Sequence, residues 1–273
     1  MKNKNIVKIY ITGIFFVLLL FLMVILSLLK IFVPKEDKIV EKSIISQNYS
    51  LVDIENVSFD FRKSNSTFVV GDGDELMVVQ NSMEEKFYLN EKQKGSTLSF
   101  VEDSYIINPQ KKKYIIYFPK NYLNKITINN GFGEVNIANI INDMDINNNS
   151  GKLYFDTIGN VNIKDVSGDV LLKNVEGIAN VSSSTGNITV ENMTGMINVE
   201  SITGDISITG FNAIGESYFE NVSGDITLEM VPESLCKINY FNETGKTFVG
   251  ENICASEFNT ITVKNITGMI KIN

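Results

Sequence analysis

The sequence predicts an all-β protein: a single-stranded β-solenoid (β-helix) of about 18-residue coils, preceded by one N-terminal transmembrane helix. Three observations carry that expectation. An uncharged run lies near the N-terminus, a glycine recurs every nine residues through the middle of the chain, and apolar residues sit at fixed offsets from those glycines.

The N-terminal run comes first. Lys2, Lys4 and Lys8 precede an uncharged stretch from Ile9 to Leu29, long enough as a helix to cross a hydrocarbon layer of roughly 30 Å. It exceeds a signal-peptide core and lacks a small-residue cleavage site behind it. Residues 9–33 are therefore expected to form a signal-anchor, with a cleaved signal peptide as the alternative. Residues 1–8 would be a cytoplasmic tail and 34–48 a charged stalk. Residues 49–273 would be the extracytoplasmic solenoid of a single-pass cell-membrane protein. Lys30, Lys35, Lys38 and Lys42 nearly balance the N-terminal lysines, so the short tail decides the orientation rather than the charge.

The period organises the rest. Gly159, Gly168, Gly177, Gly186, Gly195 and Gly204 fall at unbroken intervals of nine, and Asn124, Gly133, Asn142 and Gly151 extend the series upstream. Counting each of these ten positions as zero, residues at +2, +4 and +7 are apolar in 27 of 30 cases; the exceptions are Gly131, Asn149 and Ser184. Positions +2 and +4 share one face of a short strand. The +7 residue is expected to point inward again after a turn, with glycine supplying the corner. No single unit could bury enough to fold alone, but stacked units make one continuous core.

Ser or Thr precedes, and Asp or Asn follows, Gly168, Gly186, Gly204 and Gly224, whereas Ile178 follows Gly177 and Met196 follows Gly195. Two units therefore make one coil, and ten units give about five coils or roughly 24 Å of solenoid. Residues 49–120 read as irregular strands, and they and the last hairpin as caps against end-to-end pairing.

Composition narrows the chemistry. The chain has no His, which excludes a Ser-His-Asp triad and an imidazole base. It has no Trp, and Arg62 is its only arginine, which argues against a nucleic-acid surface. Acidic residues outnumber basic ones 32 to 24. No catalytic residue and no cofactor is expected.

Two features could carry chemistry. The first is the corner column Asp169, Asn187, Asp205 and Asp225. Stacked carboxylates repel unless something relieves them, so Asp169, Asp205 and Asp225 are candidate Ca²⁺ ligands. The alternative is that each bonds the backbone of its own corner. The G-G-x-G-x-D pattern of calcium-binding β-rolls is absent. The second is Cys236 and Cys254, one coil apart by the period. They are placed either to bond as a disulfide or to stay as two buried thiols.

The stretch VSGDVLLKNVEGIANVSSSTGNITVENMTGMINVESITGDISITGF, with its [S/T]-G-D-[I/V] corners at 167–170, 203–206 and 223–226, resembles the putative-adhesin, domain-of-unknown-function family of bacterial envelope β-solenoids. YIIYFPKNYLNKITINN (114–130) is similar to that family's strand-Pro-turn-strand lead into the repeats. The resemblance covers about residues 50–273. It implies a β-solenoid and a cell-envelope setting, and no established activity or functional residues.

The expected function is thus a membrane-anchored binding or scaffold protein of the envelope, connected with adhesion or envelope stress. Its partners would be the membrane, through the N-terminal helix, and an envelope polymer or protein, but not nucleic acid. The alternative is a polysaccharide-degrading β-helix enzyme. That would require paired carboxylates in a groove, and the repeats show no clustered acids; Glu191 and Glu200 fall on opposite sides of the coil.

Overall fold

All twenty residues at +2 and +4 of the ten units are buried, from Ile126 and Ile128 to Ile206 and Ile208. The computed structural model describes residues 43–82, 86–103, 112–232, 236–250 and 259–273. The leading strands are β1 (Ser43–Tyr49), β2 (Asn56–Phe61), β3 (Asn65–Gly71), β4 (Leu76–Ser82), β5 (Leu89–Lys94), β6 (Thr97–Glu102) and β7 (Lys113–Pro119). The repeats supply β8 (Lys125–Asn130), β9 (Val135–Ile140), β10 (Met144–Asn148), β11 (Leu153–Ile158), β12 (Val161–Ser167), β13 (Val170–Thr185), β14 (Ile188–Thr203) and β15 (Ile206–Ala213). The chain closes with β16 (Glu216–Ser223), β17 (Ile226–Met230), β18 (Lys237–Asn242), β19 (Thr247–Val249), β20 (Thr260–Thr267) and β21 (Ile270–Ile272).

These strands wind as parallel layers with two faces. On face A, β8, β10, β12, the second halves of β13 and β14, and β16 pair in succession. On face B, β9, β11, the first halves of β13 and β14, β15 and β17 do the same. Side chains from both faces meet in one core. Glycine is required where successive corners touch. Gly186 has φ +132°, and a Cβ there would lie 2.0 Å from the carbonyl oxygen of Gly168.

The two faces treat the end of each unit differently, which corrects the expectation that every +7 residue points inward. On face B the +6 residue is left-handed: Asn139, Thr157, Asn174 and Asn192 have φ between 50° and 60°, and Gly210 has 65°. That residue drops out of the ladder, since Asp156 pairs Lys173 and Ile158 pairs Val175. The extra residue restores the parity, so Ile140, Ile158, Val175, Met193 and Phe211 turn inward. Face A has no such bulge. Alternation simply continues, +6 is buried, and Val166 and Ile202 at +7 are 54% and 55% exposed. All three sequence exceptions, Gly131, Asn149 and Ser184, belong to face A units; they marked the difference.

The expected fold class needs two further corrections. No helix is present among the described residues, and so none long and apolar enough to cross a membrane. Residues 1–33 and 34–42, which hold the expected tail, span and most of the stalk, lie outside the described residues. Residues 43–48, read as stalk, are instead strand β1, antiparallel to β4. Only a partial alternation marks it: Ser43, Ile45 and Tyr49 are half-buried on one parity of the strand, while Ile44 is exposed on the other.

Nor is the winding a uniform single-stranded helix. At the N-terminal end β2 lies between β6 and β8, and β3 between β7 and β9. The chain therefore runs outward to β6 and β7, then returns past β2 and β3 to start the repeats. Antiparallel β5 and β4 border this end, with β1 beyond β4. At the C-terminal end β20 inserts between β16 and β18, and β21 between β17 and β19. The N-terminal core is aromatic: Phe59 stacks on Phe100 at 5.0 Å and meets Phe68 edge-on at 5.1 Å.

Candidate functional site

Face A presents Thr127, Asp145, Asn162, Asn180, Asn198 and Tyr218 in one outward column, register by register. Their side chains are linked along the axis. Asn198 Nδ2 donates to Asn180 Oδ1 (2.9 Å), Asn180 to Asn162 (2.7 Å), and Asn162 to Asp145 Oδ1 (3.0 Å). Lys125 closes the run with an ion pair to Asp145. Its hydrogen bond holds the Asp145 carboxyl below the usual range. A parallel link joins Asn147 Nδ2 to Asn129 Oδ1 (2.9 Å). Each laddered amide uses one of its two N–H groups, leaving the second and a carbonyl lone pair for a ligand.

The face is grooved. Cavities of about 830, 720 and 270 Å³ follow one another across it. The first two share Asn147, Lys164 and Ser182, and the last two share Asp145, Asn162 and Asn180. The arrangement is one trough, its polar groups repeating at the strand spacing of about 4.8 Å.

The ends of the trough differ in charge. Arg62 and Lys63 stand just after β2, with Phe132 beside them and Lys164 and Val166 on β12 across the same cavity. Toward β16, Glu200 stands opposite Glu220 in the next strand. Glu220 takes a hydrogen bond from the Tyr218 hydroxyl, and that bond raises the Tyr218 pKa. This carboxylate pair was not legible in the sequence, because residues 212–222 break the nine-residue period.

Behind the trough runs a buried polar corner: Asn130, Asn148, Asp165, Ser183, Ser201, Asn221 and Asn265, one per layer. Asn130 Nδ2 donates to Asn148 Oδ1 (2.7 Å), and Asn148 Nδ2 to Asp165 Oδ1 (2.6 Å). Ser183 donates to the other Asp165 oxygen (2.9 Å). Burial pushes the Asp165 carboxyl up.

The corner column foreseen from the sequence does line up. Asn187 N–H donates to Asp169 Oδ1 (3.3 Å), Asp205 N–H to Asn187 Oδ1 (3.0 Å), Asp225 N–H to Asp205 Oδ1 (2.9 Å), and Met269 N–H to Asp225 Oδ1 (2.8 Å). The bonds cross from coil to coil rather than closing each residue's own corner, and each uses one side-chain oxygen. Lys152 Nζ lies 3.4 Å from the second oxygen of Asp169. Among the described residues no group of three or more His, Cys, Asp or Glu is gathered to hold a metal ion.

Cys236 is buried just before β18, and Cys254 lies outside the described residues. The register there sets Lys237 opposite Thr260, more than one repeat away, so the spacing argument for their pairing does not apply at this end. Glu191 and Glu200 do lie on different faces.

A crystal structure of a putative adhesin from Bacteroides fragilis is similar, with 18% identity, a TM-score of 0.53, and 85% of this chain and 97% of that one covered. A putative adhesin from Parabacteroides distasonis is 14% identical, with a TM-score of 0.49 over 85% of this chain and 98% of that one. A putative lipid binding protein from the same species is 16% identical, with a TM-score of 0.47 over 84% and 97%. The first likeness supports the fold. No curated protein matches the chain. The family model described as Toastrack DUF4097 matches residues 43–271, and the chain belongs to that family.

Proposed function

We propose that the protein is a non-enzymatic binding or scaffold protein of the bacterial cell envelope, and that the face A trough holds an extended, hydroxyl-rich envelope polymer. The observation that carries this reading is the stacked amide ladder flooring two of three connected grooves, with the Asn147–Asn129 amide pair lining the third. Paired strands fix each amide before a ligand arrives, so little ordering entropy is lost on binding. An extended chain lying along the axis would meet the same donor and acceptor set at every layer. The acidic balance of the chain disfavours nucleic acid and anionic lipid as ligands. The family resemblance supports an envelope setting without naming a ligand.

Co-sedimentation of the full chain with purified cell-wall polysaccharide tests the reading. The wild type is expected to be retained, and the Asn162→Lys/Asn180→Lys variant to bind about tenfold more weakly, as expected for the loss of one or two hydrogen bonds. Equal retention of the two overturns the site. Release of reducing ends from the polymer that disappears in Glu200→Gln/Glu220→Gln overturns the non-enzymatic reading.

A further inference from the structure

The cationic end of the trough is built, not incidental. Glu102, 1% exposed, accepts the backbone N–H groups of Arg62 (2.7 Å) and Lys63 (2.9 Å). It also takes the hydroxyl of Ser64. One buried carboxylate thus fixes the turn that follows β2 and displays two consecutive cations.

The neighbouring layer is fitted to that turn. A Cβ on Gly131 would lie 2.3 Å from the Arg62 carbonyl oxygen, and one on Gly133 would lie 2.0 Å from that of Ser64. Only glycine permits this approach, and the segment that makes it carries Phe132 outward at 63% exposure. Lys164 and Val166 complete the rim from β12. None of Arg62, Lys63 and Lys164 is in an ion pair among the described residues.

Two acids line the same groove, Asp60 and Asp165. Asp165 is 4% exposed and hydrogen-bonded through both oxygens, so it lies behind the surface, whereas Arg62, Lys63 and Lys164 stand exposed with Asp60 as the one surface acid of the groove. In an acidic protein with a single arginine, this concentration of exposed positive charge, with no ion pair closing it, favours an anion.

Resting on the trough as a polymer site, we infer that this end is an anion subsite. It takes a carboxylate or phosphate carried on a sugar or polyol chain, whose apolar face lies against Phe132 and Val166. The guanidinium matches either anion with paired N–H bonds, and the lysines add point charge. The neutral part of the same chain would continue along the amide ladder toward Tyr218.

Calorimetric titration of the full chain with tetragalacturonate, with a glycerol-phosphate oligomer and with neutral cellotetraose tests the subsite and separates its two anion sources. One anionic probe is expected to bind at least about tenfold more tightly than cellotetraose, as charge-assisted hydrogen bonds allow. That advantage should shrink as salt is added. In Arg62→Gln/Lys164→Gln the favoured probe should fall to the affinity of cellotetraose. Cellotetraose binding as tightly as both anions, or an advantage that survives the double variant, overturns the subsite while leaving the trough. Binding of none of the three overturns the trough, and the subsite with it.

Discussion

At the residue scale the decisive feature is the use of asparagine. The chain holds 33 asparagines, and many stand in ladders whose amides donate toward the preceding layer. Several ladders end on a carboxylate: Asn162 on Asp145, Asn160 on Asp143, Asn174 on Asp156, and Asn148 on Asp165. Three of these carboxylates are on the surface; Asp165 is buried. Its raised pKa, caused first by burial, means that the folded protein holds the proton more tightly than the unfolded chain. The associated stability is present at low pH and is lost as pH rises through the folded pKa, above the ordinary Asp value of about 4. Asp165→Asn should remove that loss. The variant is expected to be the more stable at pH 7, and the gap between variant and wild type in urea melts should close toward about pH 4. A variant less stable than wild type at pH 7 would show that the two bonds from Asn148 and Ser183 outweigh the burial of charge.

At the scale of the elements, parity made the repeats legible. Apolar residues at +2 and +4 announced the strands, and every one of them is buried. What parity could not show was where it breaks. A single left-handed residue such as Asn174 inverts the pattern on face B, and asparagine is common enough in this chain to hide it. The order of the end layers was equally hidden: the end of the chain was expected to be a capping hairpin, yet Thr260–Thr267 lies between β16 and β18. This arrangement has a measurable consequence. β20 is bonded along both edges, whereas β18 is paired among the described residues only with β20. In native-state hydrogen exchange the amides of 260–265 should therefore exchange more slowly than those of 237–242, although they are nearer the chain terminus. Faster exchange in 260–265 would contradict the inserted order.

At the scale of the whole molecule, the wound sheet turns a local repeat into a ruler. Layers at fixed spacing carry the same side chains outward, so a surface of modest groups becomes a trough with a cationic end at Arg62 and an acidic end at Glu200. Sequence spacing revealed the ruler but not which face would be grooved. The corner column of Asp169, Asp205 and Asp225 was the more conspicuous pattern, and the structure commits one oxygen of each to the backbone of the next layer. The amides of face A were less conspicuous because isolated asparagines read as solvent-facing filler. Only the register of Asn162, Asn180 and Asn198 joins them.

The most direct test of the trough is hydrogen-exchange mass spectrometry of the full chain, alone and saturated with purified cell-wall polysaccharide. Protection is expected in peptides spanning 127–130, 145–147, 162–164, 180–182 and 198–200, with 170–175 and 188–193 on face B unchanged. Protection confined to face B or to the glycine–aspartate corners, or no protection with polymer bound, would contradict the account.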